Sequence, residues 1–189
     1  FPTGLLPQAA EKINNDPVIC TNEILIDVIA LQPTATAFGR IKRECGGDKT
    51  KIAAAILEIV EERGKFQDPV SKSGGILIGR VKEVGADFKE SAGVKVGDKI
   101  ATLVSLSLTP LKIYEITDID VDTEQVYCKA DAVLFETGIY TKLPEDLDLL
   151  HVTQVGRIHT LIVRGSSDVI KSRLAAFQPI LMEALPLTL

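Results

Sequence analysis

Two segments of the sequence combine apolar residues with the two-residue period of a β-strand. In NEILIDVIAL (22–31), we take Ile24, Ile26, Val28 and Ala30 as one side of an alternating pattern that contains Asp27, which predicts a strand with one face towards water. In ILIGRVKEV (76–84), an apolar start leads through Gly79 into a second alternating pattern that ends before a glycine turn. We therefore predict a strand over each segment.

The segment 48–64, between these two predicted strands, has the period of an α-helix. Apolar residues recur every three or four positions through 48–64, and charged residues occupy the other face. Asp48 can cap the start of a helix and Gly64 can end it. The pattern predicts one long helix over 49–63. Its buried stripe is expected to contain Ile52, Ile56 and Val60, flanked by Leu57 and Ile59.

Short apolar segments then recur about every ten residues, with Gly, Pro or Asp between them. They predict strands near 98–106, 111–118, 124–129 and 131–136. Many short strands with one long helix indicate a mainly β fold with some α, built as a partly open β-barrel over residues 1–148. We interpret QPTATAF (32–38) as a turn after the first strand.

Residues 149–189 have a different organisation. They contain one predicted strand, IHTLIVR (158–164), and one predicted helix that begins at Ser166 or Ser167. A G-x-G-x-x-G phosphate loop does not occur in the sequence. We therefore predict two parts, a barrel domain over 1–148 and a short strand-helix tail over 149–189, without a complete Rossmann domain.

The composition narrows the class of protein. With 46% apolar residues and a net charge of −5, the chain can bury a core and has no basic stripe, so we expect neither a nucleic-acid nor a membrane partner. The absence of a long apolar run or a signal-peptide pattern predicts a cytoplasmic protein. Three widely spaced cysteines indicate free thiols.

The segment GGILIGRVKEVG (74–85) is similar to a motif of zinc alcohol dehydrogenases, GHE-x-x-G-x-V-x-E-V-G. Gly75 and Ile76 stand where that motif has its His and Glu near the metal. Thr34 stands where those enzymes have a zinc-binding Cys. Since these side chains cannot replace such ligands, the resemblance implies a site without zinc.

Several segments in order, including ILEIVEERGK, SGG, VGDKIATLVSL and IYTKLPEDL, resemble the N-terminal portion of the L-erythro-3,5-diaminohexanoate dehydrogenase family over about residues 3–148. That family is related to the medium-chain dehydrogenases. The resemblance implies a GroES-like barrel and, in the complete enzyme, NAD- or NADP-dependent oxidative deamination of a diamino acid.

The resemblance also suggests site residues. Thr36 falls where alcohol dehydrogenases have the hydroxyl of a proton relay, so Thr36 and Thr34 are candidate catalytic residues. The alternative is that both hydroxyls satisfy local backbone groups in a turn. Glu44, Glu83 and Glu136 could hold the ammonium groups of a diamino acid, or they could be ordinary surface carboxylates.

Gly74 and Gly75 are the candidate cofactor-binding residues, because two glycines allow a nicotinamide to approach the backbone. A bulge at a barrel corner would explain them equally well.

We expect this chain to be a truncated or partial enzyme that alone binds no cofactor and is inactive. The alternative function is a non-catalytic barrel for protein interaction or self-association. In either case a homodimer is expected.

Overall fold

The computed structural model describes residues 9–88 and 93–145, which contain six strands, two α-helices and a short 3-10 helix. The strands are β1 (Glu23–Pro33), β2 (Gly75–Val84), β3 (Lys99–Thr102), β4 (Leu111–Asp120), β5 (Gln125–Phe135) and β6 (Tyr140–Lys142). The helices are α1 (Ala35–Glu44) and α2 (Lys49–Arg63), and the 3-10 helix is Leu106–Leu108. The predicted tail, 149–189, lies outside the described residues.

The six strands form one antiparallel sheet in the order β4-β5-β1-β2-β3-β6. A mainly β fold with some α is therefore confirmed. Among the described residues the two edge strands, β4 and β6, do not pair with each other, so the sheet is not closed into a barrel.

Strand β1 lies in the middle of the sheet between β2 and β5. Its apolar residues are almost all buried, and Asp27 is its one exposed position. The prediction of a strand with one face in water was wrong for β1. The reason is that a central strand packed on both faces is buried whichever way its side chains point.

Helix α2 matches the predicted helix. The Asp48 carboxylate accepts hydrogen bonds from the Thr50 and Lys51 amides, and Gly64 ends the helix with a left-handed φ of 70°. The predicted face is buried, with Ile52, Ile56 and Val60 each at most 2% exposed. Ile59 is buried beside them, at 8% exposed.

Three predictions of element boundaries were wrong. The segment read as a turn, 32–38, ends β1 and begins helix α1, which buries Ala37, Phe38 and Ile41. The strand predicted over 98–106 ends at Thr102, and the 3-10 helix follows, capped by Ser105. The two strands predicted over 124–129 and 131–136 are one strand, β5.

Asp131 lies inside β5, at the position where the sequence suggested that a new strand begins. This carboxylate is buried in the middle of the strand and accepts hydrogen bonds from Lys82 Nζ and the Tyr114 hydroxyl, at 2.8 to 3.0 Å. Because Lys82 of β2 pairs with its charge and Tyr114 of the adjacent strand β4 donates to it, the aspartate is accommodated within the sheet.

The cysteines differ in exposure. Cys20 is exposed and Cys45 half-buried, whereas Cys128 is buried in β5, where desolvation raises the pKa of its thiol to about 12. None of the helices in the described part of the chain is long and apolar enough to cross a membrane.

We expect a maleimide at pH 8 to modify Cys20 rapidly and Cys128 only after unfolding, because the thiolate is the reactive form. Peptide mapping by mass spectrometry after timed labelling measures this. Equal labelling rates at Cys20 and Cys128 in the folded protein would show that Cys128 is not buried in the sheet.

Candidate functional site

The end of β1 brings three of the predicted site residues together. Thr34 follows the last residue of β1 and caps α1, with its hydroxyl accepting a hydrogen bond from the Ala37 amide at 3.3 Å. The Thr34 amide donates to the Gly74 carbonyl at 3.0 Å. Gly75 lies directly opposite Pro33 in the β1–β2 pairing.

Thr34 begins a connected series of polar groups that we call the hydroxyl chain: Thr34, Ser73, Ser71 and Asp68. The Thr34 and Ser73 hydroxyl oxygens are 2.7 Å apart, and those of Ser73 and Ser71 are also 2.7 Å apart. The Ser71 hydroxyl donates to Asp68 Oδ2 at 2.6 Å. The three hydroxyl residues are each half-buried.

Asp68, the inner end of the hydroxyl chain, is fully buried. Its Oδ1 accepts a hydrogen bond from Arg40 Nε at 2.7 Å and a second from Arg40 Nη2, and its Oδ2 accepts from the Ser71 amide at 2.7 Å. Burial acts to raise the pKa of Asp68, but the bonds from Arg40 and Ser71 outweigh it, so the pKa is below its ordinary value. Asp68 is therefore a fixed anion at neutral pH.

The loop that carries Asp68 folds around its own backbone. The Asp68 amide donates to the Ser73 carbonyl, and the Lys72 amide donates to the Asp68 carbonyl, both at 2.9 Å. Lys72 adopts a left-handed φ of 58° to allow this. The tight loop holds Ser71 and Ser73 in place between Asp68 and Thr34.

Glycine is required at positions 74 and 75 because the protein's own backbone lies where a Cβ would project. A Cβ at Gly74 would lie 2.3 Å from the Ser107 amide nitrogen, and one at Gly75 would lie 2.1 Å from the Gln32 carbonyl oxygen. Gly75 also has a φ of +132°. These contacts favour the structural explanation of the pair, and cofactor binding at Gly74 and Gly75 stays a prediction.

The remaining predicted residues lie elsewhere. Thr36 is exposed on α1, two residues beyond Thr34. Glu44, at the other end of α1, is exposed and forms an ion pair with Arg40. Glu83 is exposed on β2, eight residues from Gly75, which corresponds to about 26 Å along a strand. Glu136 follows the end of β5 that pairs with Glu23, also distant from Thr34.

An open groove of about 730 Å³ lies at a different place, beside Lys49, Asp118, Asp120, Asp122 and Tyr127. Its carboxylates already have partners, since Asp118 pairs with Lys49 at 3.1 Å and Asp120 accepts two backbone amides of its own turn. Within 9–88 and 93–145, His, Cys, Asp and Glu side chains form no group of three that could hold a metal ion.

Sequence reasoning missed the inner part of the site: Asp68, Ser71, Ser73 and Arg40. The polar segment DPVSKS before the glycine pair indicates a turn, but its partners come from residues 28 and 39 positions away. An aspartate followed by proline and two serines, directly before a buried strand, is the local pattern that could have suggested the loop.

Comparison with known proteins identifies the family. Residues 1–144 match the model of the L-erythro-3,5-diaminohexanoate dehydrogenase N-terminal domain. The chain is 58% identical over 146 residues to an L-erythro-3,5-diaminohexanoate dehydrogenase of Acetoanaerobium sticklandii, and 56% identical over 146 residues to one of Fusobacterium nucleatum.

Each match covers 77% of this chain but 42% of the relative, so the chain spans less than half the length of the two relatives. The matched region contains every described element from β1 to Tyr140–Lys142, and the hydroxyl chain with them. The chain therefore belongs to the family of L-erythro-3,5-diaminohexanoate dehydrogenase N-terminal domains.

Proposed function

We propose that this chain supplies the substrate-binding domain of an NAD- or NADP-dependent oxidoreductase that deaminates L-erythro-3,5-diaminohexanoate. The observation that carries the proposal is the match of residues 1–144 to the N-terminal domain of that dehydrogenase family, with two relatives at 56% and 58% identity that bear its name. We further propose that the open sheet corresponds to a GroES-like domain of the medium-chain type.

The hydroxyl chain supports this proposal because it places a polar group at the one point where predicted site residues meet. Thr34 is half-buried and is held by both Ala37 and Ser73. A small polar ligand is oriented best by groups that are already fixed before it binds. Thr34 has this property, whereas the exposed Thr36 and Glu83 do not.

The dinucleotide does not fit the glycine pair as a phosphate cradle. On the side where a Cβ would project, Gly74 is covered by the Ser107 amide and Gly75 by the Gln32 carbonyl. A β-strand, and no helix N-terminus, follows the pair. We therefore assign the described residues to the amino-acid substrate and derive no step through the cofactor.

A chimera tests the proposed function. Residues 1–144 of this chain replace the matched segment of the Acetoanaerobium sticklandii relative, and NAD(P)H formation is followed by absorbance with L-erythro-3,5-diaminohexanoate as the substrate. We expect substrate-dependent cofactor reduction within about tenfold of the relative's kcat/KM. We expect residues 1–144 alone to give no reduction, because hydride transfer needs the cofactor held against the substrate.

The unmodified relative is the positive control, and circular dichroism confirms that the chimera is folded. A folded chimera that fails to reduce either cofactor, beside an active relative, would contradict the proposed function. Reduction by the isolated residues 1–144 would contradict the assignment of these residues to the amino-acid substrate alone.

A further inference from the structure

The hydrogen-bond directions along the hydroxyl chain are fixed by its buried end. Asp68 is an ionised carboxylate and can only accept hydrogen bonds. The 2.6 Å bond from Ser71 to Asp68 therefore uses the single hydroxyl hydrogen of Ser71. The 2.7 Å bond between Ser71 and Ser73 must then be donated by Ser73.

The bond at the outer end of the hydroxyl chain has a fixed direction as well. Because Ser73 gives its hydrogen to Ser71, the 2.7 Å bond between Ser73 and Thr34 must be donated by Thr34. A hydroxyl has one hydrogen and two acceptor lone pairs. One lone pair of Thr34 accepts from the Ala37 amide, and within the described residues the other is left for a ligand. Thr34 Oγ1 is therefore set to accept a hydrogen bond from a ligand.

We propose that Thr34 Oγ1 accepts a hydrogen bond from a protonated amine of the substrate, and that Asp68, Ser71 and Ser73 are positioning residues that hold the Thr34 hydroxyl in this acceptor state. The inference rests on the proposed function for the identity of the ligand, a diamino acid. It names Thr34 Oγ1 as the atom that recognises the amine, and the buried groups that fix the Thr34 hydroxyl as an acceptor.

The charge at the inner end of the hydroxyl chain is that of an ion-paired group. Arg40 forms ion pairs with both Asp68 and Glu44, so these three side chains carry one net negative charge, which the exposed Lys72 of the same loop offsets. The preference for a cation therefore comes from the acceptor state of Thr34 Oγ1 and not from the net charge. The N-terminus of α1 opposes a cation at Thr34, but it amounts to about half a positive charge. Successive hydrogen bonds directed towards a carboxylate also polarise one another, which makes the outermost oxygen a better acceptor.

Asp68 is not suited to receive a proton through the hydroxyl chain. Both of its oxygens are already occupied, Oδ1 by Arg40 and Oδ2 by the amide and hydroxyl of Ser71. Protonation would leave the Arg40 charge unpaired beside it. The hydroxyl chain therefore orients Thr34 and does not carry a proton away from the substrate.

The test measures ligand affinity by amide chemical-shift titration of the ¹⁵N-labelled chain at pH 7. The probes are L-erythro-3,5-diaminohexanoate and its diacetylated derivative, in which the ammonium groups are neutral amides. We expect the diamine to bind about tenfold more tightly than the derivative, because a charge-assisted hydrogen bond is stronger than a neutral one. The affected amides are expected around Thr34 and Gly74.

Variants test whether the hydroxyl chain causes the preference for the diamine over its diacetylated derivative. Thr34→Val should abolish the preference for the diamine, whereas Thr34→Ser should keep it. Ser73→Ala removes the acceptor of the Thr34 hydroxyl hydrogen and should reduce the preference for the diamine about threefold or more. Ser73→Thr retains a hydroxyl and should keep the preference. Ser107→Ala is the matched control, because the Ser107 hydroxyl bonds that of Ser105 at 2.8 Å, outside the hydroxyl chain.

An equal loss of affinity for both probes in Ser73→Ala would show a purely structural role and overturn the proposal. Absence of a saturable amide shift near Thr34 on titration with the diamine would overturn the proposal as well. A titration with nicotinamide that saturates the amides around Thr34, when the diamine does not, would also overturn it. A Ser73-dependent preference beside an inactive chimera would contradict the proposed function alone. An active chimera with a preference that Ser73→Ala leaves unchanged would contradict this inference alone.

Discussion

Substitution of Gly75 by alanine is expected to lower the free energy of unfolding by about 3 to 5 kcal/mol. Two effects add. The new Cβ would lie 2.1 Å from the Gln32 carbonyl oxygen and 2.7 Å from Pro33 Cα, in the paired backbone of β1 and β2, which cannot move apart without breaking the sheet. The φ of +132° is also one that alanine rarely adopts. Denaturant titration followed by circular dichroism measures the change.

Gly39→Ala is the matched control, since it makes the same substitution inside α1. The nearest side-chain atom to the new Cβ is Arg43 Nη1 at 3.5 Å, an ordinary contact. Alanine is the better helix former, so this variant should be more stable than the original chain by about 0.5 to 1 kcal/mol. If Gly75→Ala were as stable as Gly39→Ala, the described pairing at the start of β2 would be wrong.

Replacement of Asp68 by asparagine is expected to lower the free energy of unfolding by about 3 kcal/mol. The Asp68 side chain has no exposed surface and that of Arg40 is 17% exposed, so removing the carboxylate leaves a largely buried guanidinium without its main partner. The pH dependence follows from the lowered pKa of Asp68. Its stabilisation is complete above about pH 4, the unfolded value, and is lost as the pH falls through the folded pKa.

Unfolding titrations at pH 7 and pH 3 measure both parts of this prediction. The difference between the original chain and Asp68→Asn should be smaller at pH 3. Glu44→Gln is the control, because it removes the other carboxylate bound to Arg40 at a position that is 60% exposed. It should change the stability by about 0.5 kcal/mol or less. Equal effects of the two variants would show that Asp68 is not the buried anchor of the loop.

The parts of the fold that could be predicted from the sequence are those with a strong local pattern. Helix α2 has its cap, its apolar stripe and its terminal glycine within seventeen consecutive residues, 48–64. Strands β1 and β2 are marked by apolar residues, and β2 also by the glycines before and after it. The burial of β1 on both faces was not predictable, because it depends on which strands lie beside it.

Helix α1 was not predicted because its local pattern is weak. It contains Gly39 and four charged residues, and its buried face consists of Ala37, Phe38 and Ile41. The Thr34 cap was readable as the start of a helix, but the same residues also fit a turn. Burial of this face in the core, which the sequence does not show directly, decides between the two.

Three of the residues proposed from the sequence, Thr34, Gly74 and Gly75, lie together in the structure, and their functional roles stay predictions. Thr34 was proposed from the resemblance to alcohol dehydrogenases, and the glycine pair from the close approach that glycine allows. Asp68 was not considered, because its significance comes from burial and from a bond to Arg40, 28 residues earlier. Glu83 was proposed on charge alone and lies far along β2.

A crystal structure of this chain with L-erythro-3,5-diaminohexanoate bound would show directly which atoms hold the amines. We expect an amine nitrogen about 2.8 to 3.0 Å from Thr34 Oγ1, with the bonds from Thr34 to Ser73 and from Ser71 to Asp68 retained. A ligand whose amines are held by Glu44 or Glu83, or by the acidic groove beside Lys49, without contact to Thr34, would contradict this expectation.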